Sequence, residues 1–109
     1  MLSNDRFNEE IQNIVEQLIR IYKPQKIVLF GSLAKGNLSA GTDIDLFIIK
    51  KDVPILGVDR IRQLERLIKY RLATDFVVYK PEELEQRLNL GDPFVKNIFE
   101  EGRVLYDAK

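Results

Sequence analysis

Apolar residues recur at steps of three and four through residues 4–22. Phe7, Ile11, Ile14, Leu18 and Ile21 fall on one stripe, with Glu9, Gln12, Glu16 and Arg20 off it. That period predicts an amphipathic helix, capped by Ser3 or Asn4 and ended by Pro24. The pattern then changes. Lys26 to Phe30 is a short apolar run with β-branched residues, which predicts a buried strand, and Gly31-Ser32 breaks it. A turn or short helix around Leu33 to Lys35 leads into a loop of Gly36, Asn37, Ser39 and Gly41. Thr42 to Lys50 predicts a second strand, with Asp43, Asp45, Phe47 and Ile49 on one face and Ile44, Leu46 and Ile48 on the other. Gly57 to Arg71 repeats the helical period, turning Ile61, Leu64, Leu67 and Ile68 inward. Ala73 to Tyr79 predicts a third strand that carries Asp75. Pro81 to Leu88 starts a further helix with Pro in its first turn. Asp92-Pro93 opens the last one, whose stripe of Phe94, Val95, Ile98 and Phe99 runs until Gly102. Val104 to Tyr106 reads as a final extended piece. The order of elements predicts an α+β fold, a small mixed sheet backed by helices in two layers. No repeat, low-complexity run or linker interrupts the 109 residues, so residues 1–109 read as one domain.

Composition narrows the chemistry. Apolar residues make up 45% of the chain, enough for an ordinary core. The 17 basic and 17 acidic side chains cancel, so no bulk charge draws the chain to nucleic acid or to an anionic membrane. Cysteine is absent, which removes disulfides and thiolate zinc sites. Histidine is absent too, so any catalysis rests on carboxylates, lysines or hydroxyls. The first residues show no basic and apolar leader pattern, and no apolar run approaches bilayer length. The expected setting is the cytoplasm.

Asp43 and Asp45 are the centre of the chemical reading. Aspartate is disfavoured in strands, and two of them at this spacing point to one face. At roughly 4 Å and an effective dielectric near 20, two such charges repel by about 4 kcal/mol. A raised pKa, a neighbouring cation or a bound metal would offset that. Carboxylate oxygens without imidazole or thiolate suit a hard cation such as Mg²⁺. By itself Asp-x-Asp equally suits two exposed residues at a strand start, one of them capping a turn. The context is Phe30-Gly31-Ser32 directly after a buried strand, where backbone N–H groups and a hydroxyl can approach an anion closely. Neither a Walker A loop nor a Gly-x-Gly-x-x-Gly dinucleotide fingerprint occurs.

Taken together, Gly31-Ser32-Leu33-Ala34-Lys35-Gly36 followed by Asp43-Ile44-Asp45-Leu46 resembles the Gly-Ser…Asp-x-Asp motif of the polymerase-β-like nucleotidyltransferase superfamily, in particular its minimal nucleotidyltransferase (MNT) branch. The resemblance covers roughly residues 10–80. It implies that the Gly31-Ser32 turn grips a triphosphate, that Asp43 and Asp45 bind two Mg²⁺ ions, and that a third carboxylate comes from a later strand. Asp75, within Ala73-Thr74-Asp75-Phe76-Val77-Val78, matches that place in order and context. The chain departs from the pattern at Leu33, where such proteins often carry a basic residue. Lys35 stands nearby as a cationic donor to phosphate.

The resemblance implies transfer of a nucleoside monophosphate to a hydroxyl, with ATP as the expected donor among nucleoside triphosphates. Asp43, Asp45 and Asp75 would be both metal ligands and catalytic groups; Gly31, Ser32 and Lys35 would bind the nucleotide. It also implies a partner, an all-helical HEPN-domain toxin neutralised by this chain as antitoxin. The alternative is a binding module of the same fold that neutralises its partner by complex formation alone. Arg62, Arg66 and Lys69 form a basic helix face, read as solvated rather than as a nucleic-acid surface. Leu90, Phe94, Phe99 and Tyr106 are read as covering the sheet, or else as the interface of a homo-oligomer.

Overall fold

Four short strands alternate with helices of nine to fourteen residues, and their pairing follows from which faces carry apolar side chains. The computed structural model describes residues 4–37 and 42–108. The expected cap Ser3 and the loop residues Ser39 and Gly41 lie outside them. The strands are β1 (Lys26–Phe30), β2 (Ile44–Ile49), β3 (Thr74–Tyr79) and β4 (Arg103–Asp107), arranged in the order β3-β2-β1-β4. β1 runs antiparallel to both β2 and β4, while β2 and β3 are parallel. A parallel pair needs a crossover. Helix α2 (Gly57–Leu67) supplies it.

One face of the sheet presents Ile27, Leu29, Ile44, Leu46, Ile48, Phe76 and Val78 to α1 (Asn4–Gln17) and α2. Phe7, Ile11, Ile14 and Leu18 fill it from α1 and the turn that follows, Leu64 from α2. The opposite face carries Val28, Phe47 and Ile49 against Leu84 of α3 (Pro81–Asn89) and Ile98 and Phe99 of α4 (Pro93–Glu101). β2 is therefore covered on both sides along Leu46–Ile49, which is why that stretch is apolar without alternation. The architecture is α+β, a small mixed sheet backed by helices. Among the described residues no helix is long and apolar enough to cross a membrane.

Two expected helices end early, for different reasons. The first gives way at Leu18–Tyr22 to a π turn, closed by the Lys23 N–H donating to the Leu18 carbonyl at 2.7 Å, with Lys23 left-handed at φ 58°. The wider turn moves the inward position from Ile21 to Tyr22: Ile21 is 40% exposed and Tyr22 is 5%. Lys23, rather than Pro24, forms the stop. Helix α2 ends at Leu67 instead of Arg71 because side chains of α1 claim the backbone beyond it. Gln17 Nε2 donates to the Lys69 carbonyl at 2.7 Å and Gln17 Oε1 accepts from the Lys69 N–H at 2.8 Å. Glu10 accepts from the N–H groups of Arg71 and Leu72. Leu67 consequently points outward, and Ile68 stays buried in extended backbone.

Arg60 is the other tie that propensity does not announce. It is 4% exposed, and each N–H of its guanidinium has an acceptor. Nε donates to the Pro54 carbonyl at 2.6 Å, and Nη2 to the Ile55 carbonyl at 3.1 Å. Nη1 reaches the Val78 carbonyl at 2.9 Å, and the Glu83 carboxylate takes Nη1 and Nη2 at 2.7 and 3.0 Å. Burial alone would lower the Arg60 pKa, but the bond to Glu83 is larger and raises it. One side chain thus joins the loop after β2, the end of β3 and the first turn of α3.

Candidate active site

β1 ends at Phe30, and Gly31 turns the chain in the left-handed region at φ 74°. A Cβ on Gly31 would run into Oδ2 of Asp45, so both the backbone angle and the space demand glycine here. The turn continues through Ser32–Gly36, closed by N–H groups of Lys35 and Asn37 donating to the Ser32 carbonyl at 3.1 and 2.9 Å. Leu33 is 8% exposed and inserts into the core beneath the turn, while Ser32 stays at the surface. The apolar residue after Gly-Ser thus anchors the turn from below. Lys35 forms an ion pair with Glu101 of α4 at 3.1 Å, both side chains half exposed. Such a surface pair holds little energy, so the lysine is near the turn and committed only weakly.

Sheet register assembles the carboxylates. Asp45 is the Cα partner of Phe30 on β1 and of Asp75 on β3. Directly paired residues project to the same face, so Asp45 and Asp75 stand side by side, with Phe30 on the other flank of Asp45. Asp43 lies two residues before Asp45, just ahead of β2. The three are electrostatically coupled. Burial first, and then the charges of Asp75 and Asp43, together push the Asp45 carboxyl up from 3.8 to about 6. The Asp75 carboxylate is also within hydrogen-bonding reach of Asp45 and favours its protonated form. The repulsion anticipated from Asp-x-Asp is therefore present, and a proton on Asp45 relieves it only below about pH 6.

The donor set suits Mg²⁺: three carboxylates, no imidazole, no thiolate. Among the described residues no three acidic side chains are already spaced as ligands of one ion. The fit is one of chemistry and proximity, with the final spacing left to the ion. A larger surface hollow lies elsewhere, at Arg6, Glu9, Glu10, Asn13, Arg71 and Leu72. Glu10 and Asn13 there are already engaged in holding residues 69–72.

The structure thus places Gly31, Ser32, Asp43, Asp45 and Asp75 around one end of the sheet, with Lys35 in the same turn and paired to Glu101 of α4. Phe94 departs from its expected use. It is 46% exposed and meets Phe30 edge to face, rather than lying in the sheet's cover, and Leu90 is 78% exposed. Phe99 and Tyr106 do pack on the sheet. The proximity of Phe30 and Phe94 to the acids had no signal in the sequence beyond the strand register.

Residues 9–109 match the family described as Polymerase beta, Nucleotidyltransferase. Two relatives, each a putative protein adenylyltransferase of Methanocaldococcus jannaschii, are similar along most of the chain. One is 35% identical over 103 residues, spanning 91% of this chain and 99% of the relative. The other is 25% identical over 108 residues, 89% of this chain and 72% of the relative. The crystal structure of a putative nucleotidyltransferase from Sulfolobus solfataricus superposes with a TM-score of 0.65 at 20% identity, covering 94% of this chain and 81% of that one. At that identity the superposition speaks for the fold.

Proposed function

The chain belongs to the polymerase beta nucleotidyltransferase family and is a nucleotidyltransferase; from that premise we propose that it transfers AMP from ATP to a hydroxyl of a partner protein in a Mg²⁺-dependent reaction. The observation that carries this reading is the register of Asp45 against Asp75, one strand away from the Gly31 turn. The naming of both relatives as putative protein adenylyltransferases supports a protein acceptor.

Within this reading the backbone at Gly31 and the Ser32 hydroxyl hold the β- and γ-phosphates, and Lys35 adds charge beside them. Asp43, Asp45 and Asp75 would hold two Mg²⁺ ions, whose chemistry there would be to activate the attacking hydroxyl and to neutralise charge on the leaving pyrophosphate. The acceptor oxygen then bonds to the α-phosphorus, the bond from that phosphorus to the oxygen bridging to the β-phosphate breaks, and pyrophosphate leaves toward Gly31 and Ser32. Asp75 is the most exposed of the three and lies on an edge strand. It receives the acceptor's proton, in a chain with no histidine to do so.

The chain acts as one minimal nucleotidyltransferase domain in the cytoplasm. Its acceptor is a HEPN-domain toxin that it silences as an antitoxin. Co-expression with such a partner, followed by intact-mass measurement, tests the reading. The partner should gain one AMP with the wild-type chain and none with Asp45→Asn. An unmodified partner in a stable complex would refute the transfer and favour neutralisation by occlusion.

A further inference from the structure

Beside the Gly31 turn opens a cleft of about 190 Å³, lined by Phe30, Gly31, Lys35, Phe94, Asn97 and Glu101 among others. Whole-ligand pockets run to about 300–1,000 Å³, so this one has room for a single ring system. Phe94 contacts Phe30 edge to face with centroids 5.8 Å apart and an interplanar angle of 87°. The edge contact fixes the ring while nearly half of the residue remains open. Asn97 follows three residues later on α4, hence on the same side of the helix. It is exposed, and its amide bonds to no other described residue. Lys35 and Glu101 also border the cleft and cancel each other's charge. The lining therefore offers an aromatic surface, an amide with donor and acceptor, and no net charge. Away from the Gly31 turn, its Phe94 and Asn97 side offers no cation to a phosphate. An uncharged planar heterocycle fits there.

Position selects the heterocycle. Gly31 and Lys35 belong both to this cleft and to the turn assigned to the phosphates, and Phe30 flanks Asp45. The geometry points to this cleft as the base subsite of the bound nucleotide, with Phe94 as the stacking surface and Asn97 reading the N6/N7 edge of adenine. Asparagine can accept from N6–H and donate to N7 of adenine at once, whereas guanine presents two acceptors on that edge. This inference rests on the nucleotide site proposed above, and it adds a preference for ATP over GTP that the acidic cluster cannot provide.

Calorimetric titration in Mg²⁺ buffer with ATP, GTP and inorganic tripolyphosphate separates the two levels. Base–aromatic stacking predicts about tenfold weaker ATP binding in Phe94→Ala, with tripolyphosphate binding unchanged. Phe94→Leu keeps the apolar contact with Phe30 without an aromatic face, and should lose ATP affinity to a similar extent. Asn97→Ala should bring ATP and GTP to within about twofold of each other by removing the edge contact. Wild-type ATP affinity in both Phe94 variants, or loss of tripolyphosphate binding along with ATP, would overturn the base subsite. Failure of tripolyphosphate to bind the wild-type chain would instead overturn the phosphate site beneath it.

Discussion

Replacing Asp45 by asparagine should stabilise the metal-free protein while destroying its activity. In the fold the carboxyl titrates near 6 against an ordinary 3.8, raised first by burial and then by Asp75 and Asp43. A gap of roughly two pH units at about 1.4 kcal/mol each comes to about 3 kcal/mol. Asp45 is only partly shielded from water, and screening reduces the figure to about 1–1.5 kcal/mol. The sign is fixed by linkage. A folded value above the unfolded one means the native state binds the extra proton, so stability is greatest below about 4 and falls as pH rises toward and through about 6. Above about 7 the cost is constant. Asparagine is neutral, nearly the same shape, and can still donate to Asp75. Urea unfolding without divalent ions should therefore show Asp45→Asn and wild type nearly equal at pH 4, with the variant ahead by about 1–1.5 kcal/mol at pH 8. In a domain of this size that is about 4–8 °C in Tm. Added Mg²⁺ should raise the wild type by mass action and leave the variant behind. A variant no more stable than wild type at pH 8 without metal would refute the claim that these carboxylates are crowded.

Two further outcomes test the ties that place the site. Arg60→Met leaves three carbonyls without the guanidinium and the Glu83 carboxylate with only the Lys80 N–H, and should cost about 3 kcal/mol in urea unfolding, the low end for a broken buried pair because Glu83 is partly exposed; a loss under about 1 kcal/mol would show the network to be incidental. Burial pushes the Glu10 carboxyl up, but the N–H groups of Arg71 and Leu72 and the Asn13 amide outweigh it and hold the pKa below the usual range. Its stabilisation is present above the unfolded value of 4.5 and is lost as pH falls through the lower folded one, so Glu10→Gln should cost about 1–2 kcal/mol at pH 7. That deficit should shrink below pH 4, and one independent of pH would refute the charge-based account.

Local chemistry made much of the site readable. Asp43 and Asp45 stood out because strands disfavour aspartate, and Gly31-Ser32, by itself an ordinary turn, only through its place ahead of them. Asp75 became legible only through family resemblance, since a single acid near a strand end has many ordinary explanations. Lys35 was chosen for its charge and proximity in sequence, and the fold ties it to Glu101. Leu33 looked like a weakness at the phosphate turn; burial shows it instead as the plug that fixes the turn to the core.

What the residues determined unaided is whatever depends on neighbours a few positions away: the bounds of β1, the starts of α2, α3 and α4, the division of β2 into two faces, and the exclusion of imidazole and thiolate chemistry. Tertiary structure decided the rest. The early end of α2 and the inward Arg60 depend on groups 18 to 62 positions apart meeting the same backbone atoms, and the π turn that brings Tyr22 inward has no counterpart in the helical period. The meeting of Asp45 with Asp75 likewise needs a parallel register across a whole crossover. Periodicity reports which face of an element is apolar. It carries no information about which distant carbonyl, amide or carboxylate will lie opposite that face, and the proposed chemistry depends on that pairing.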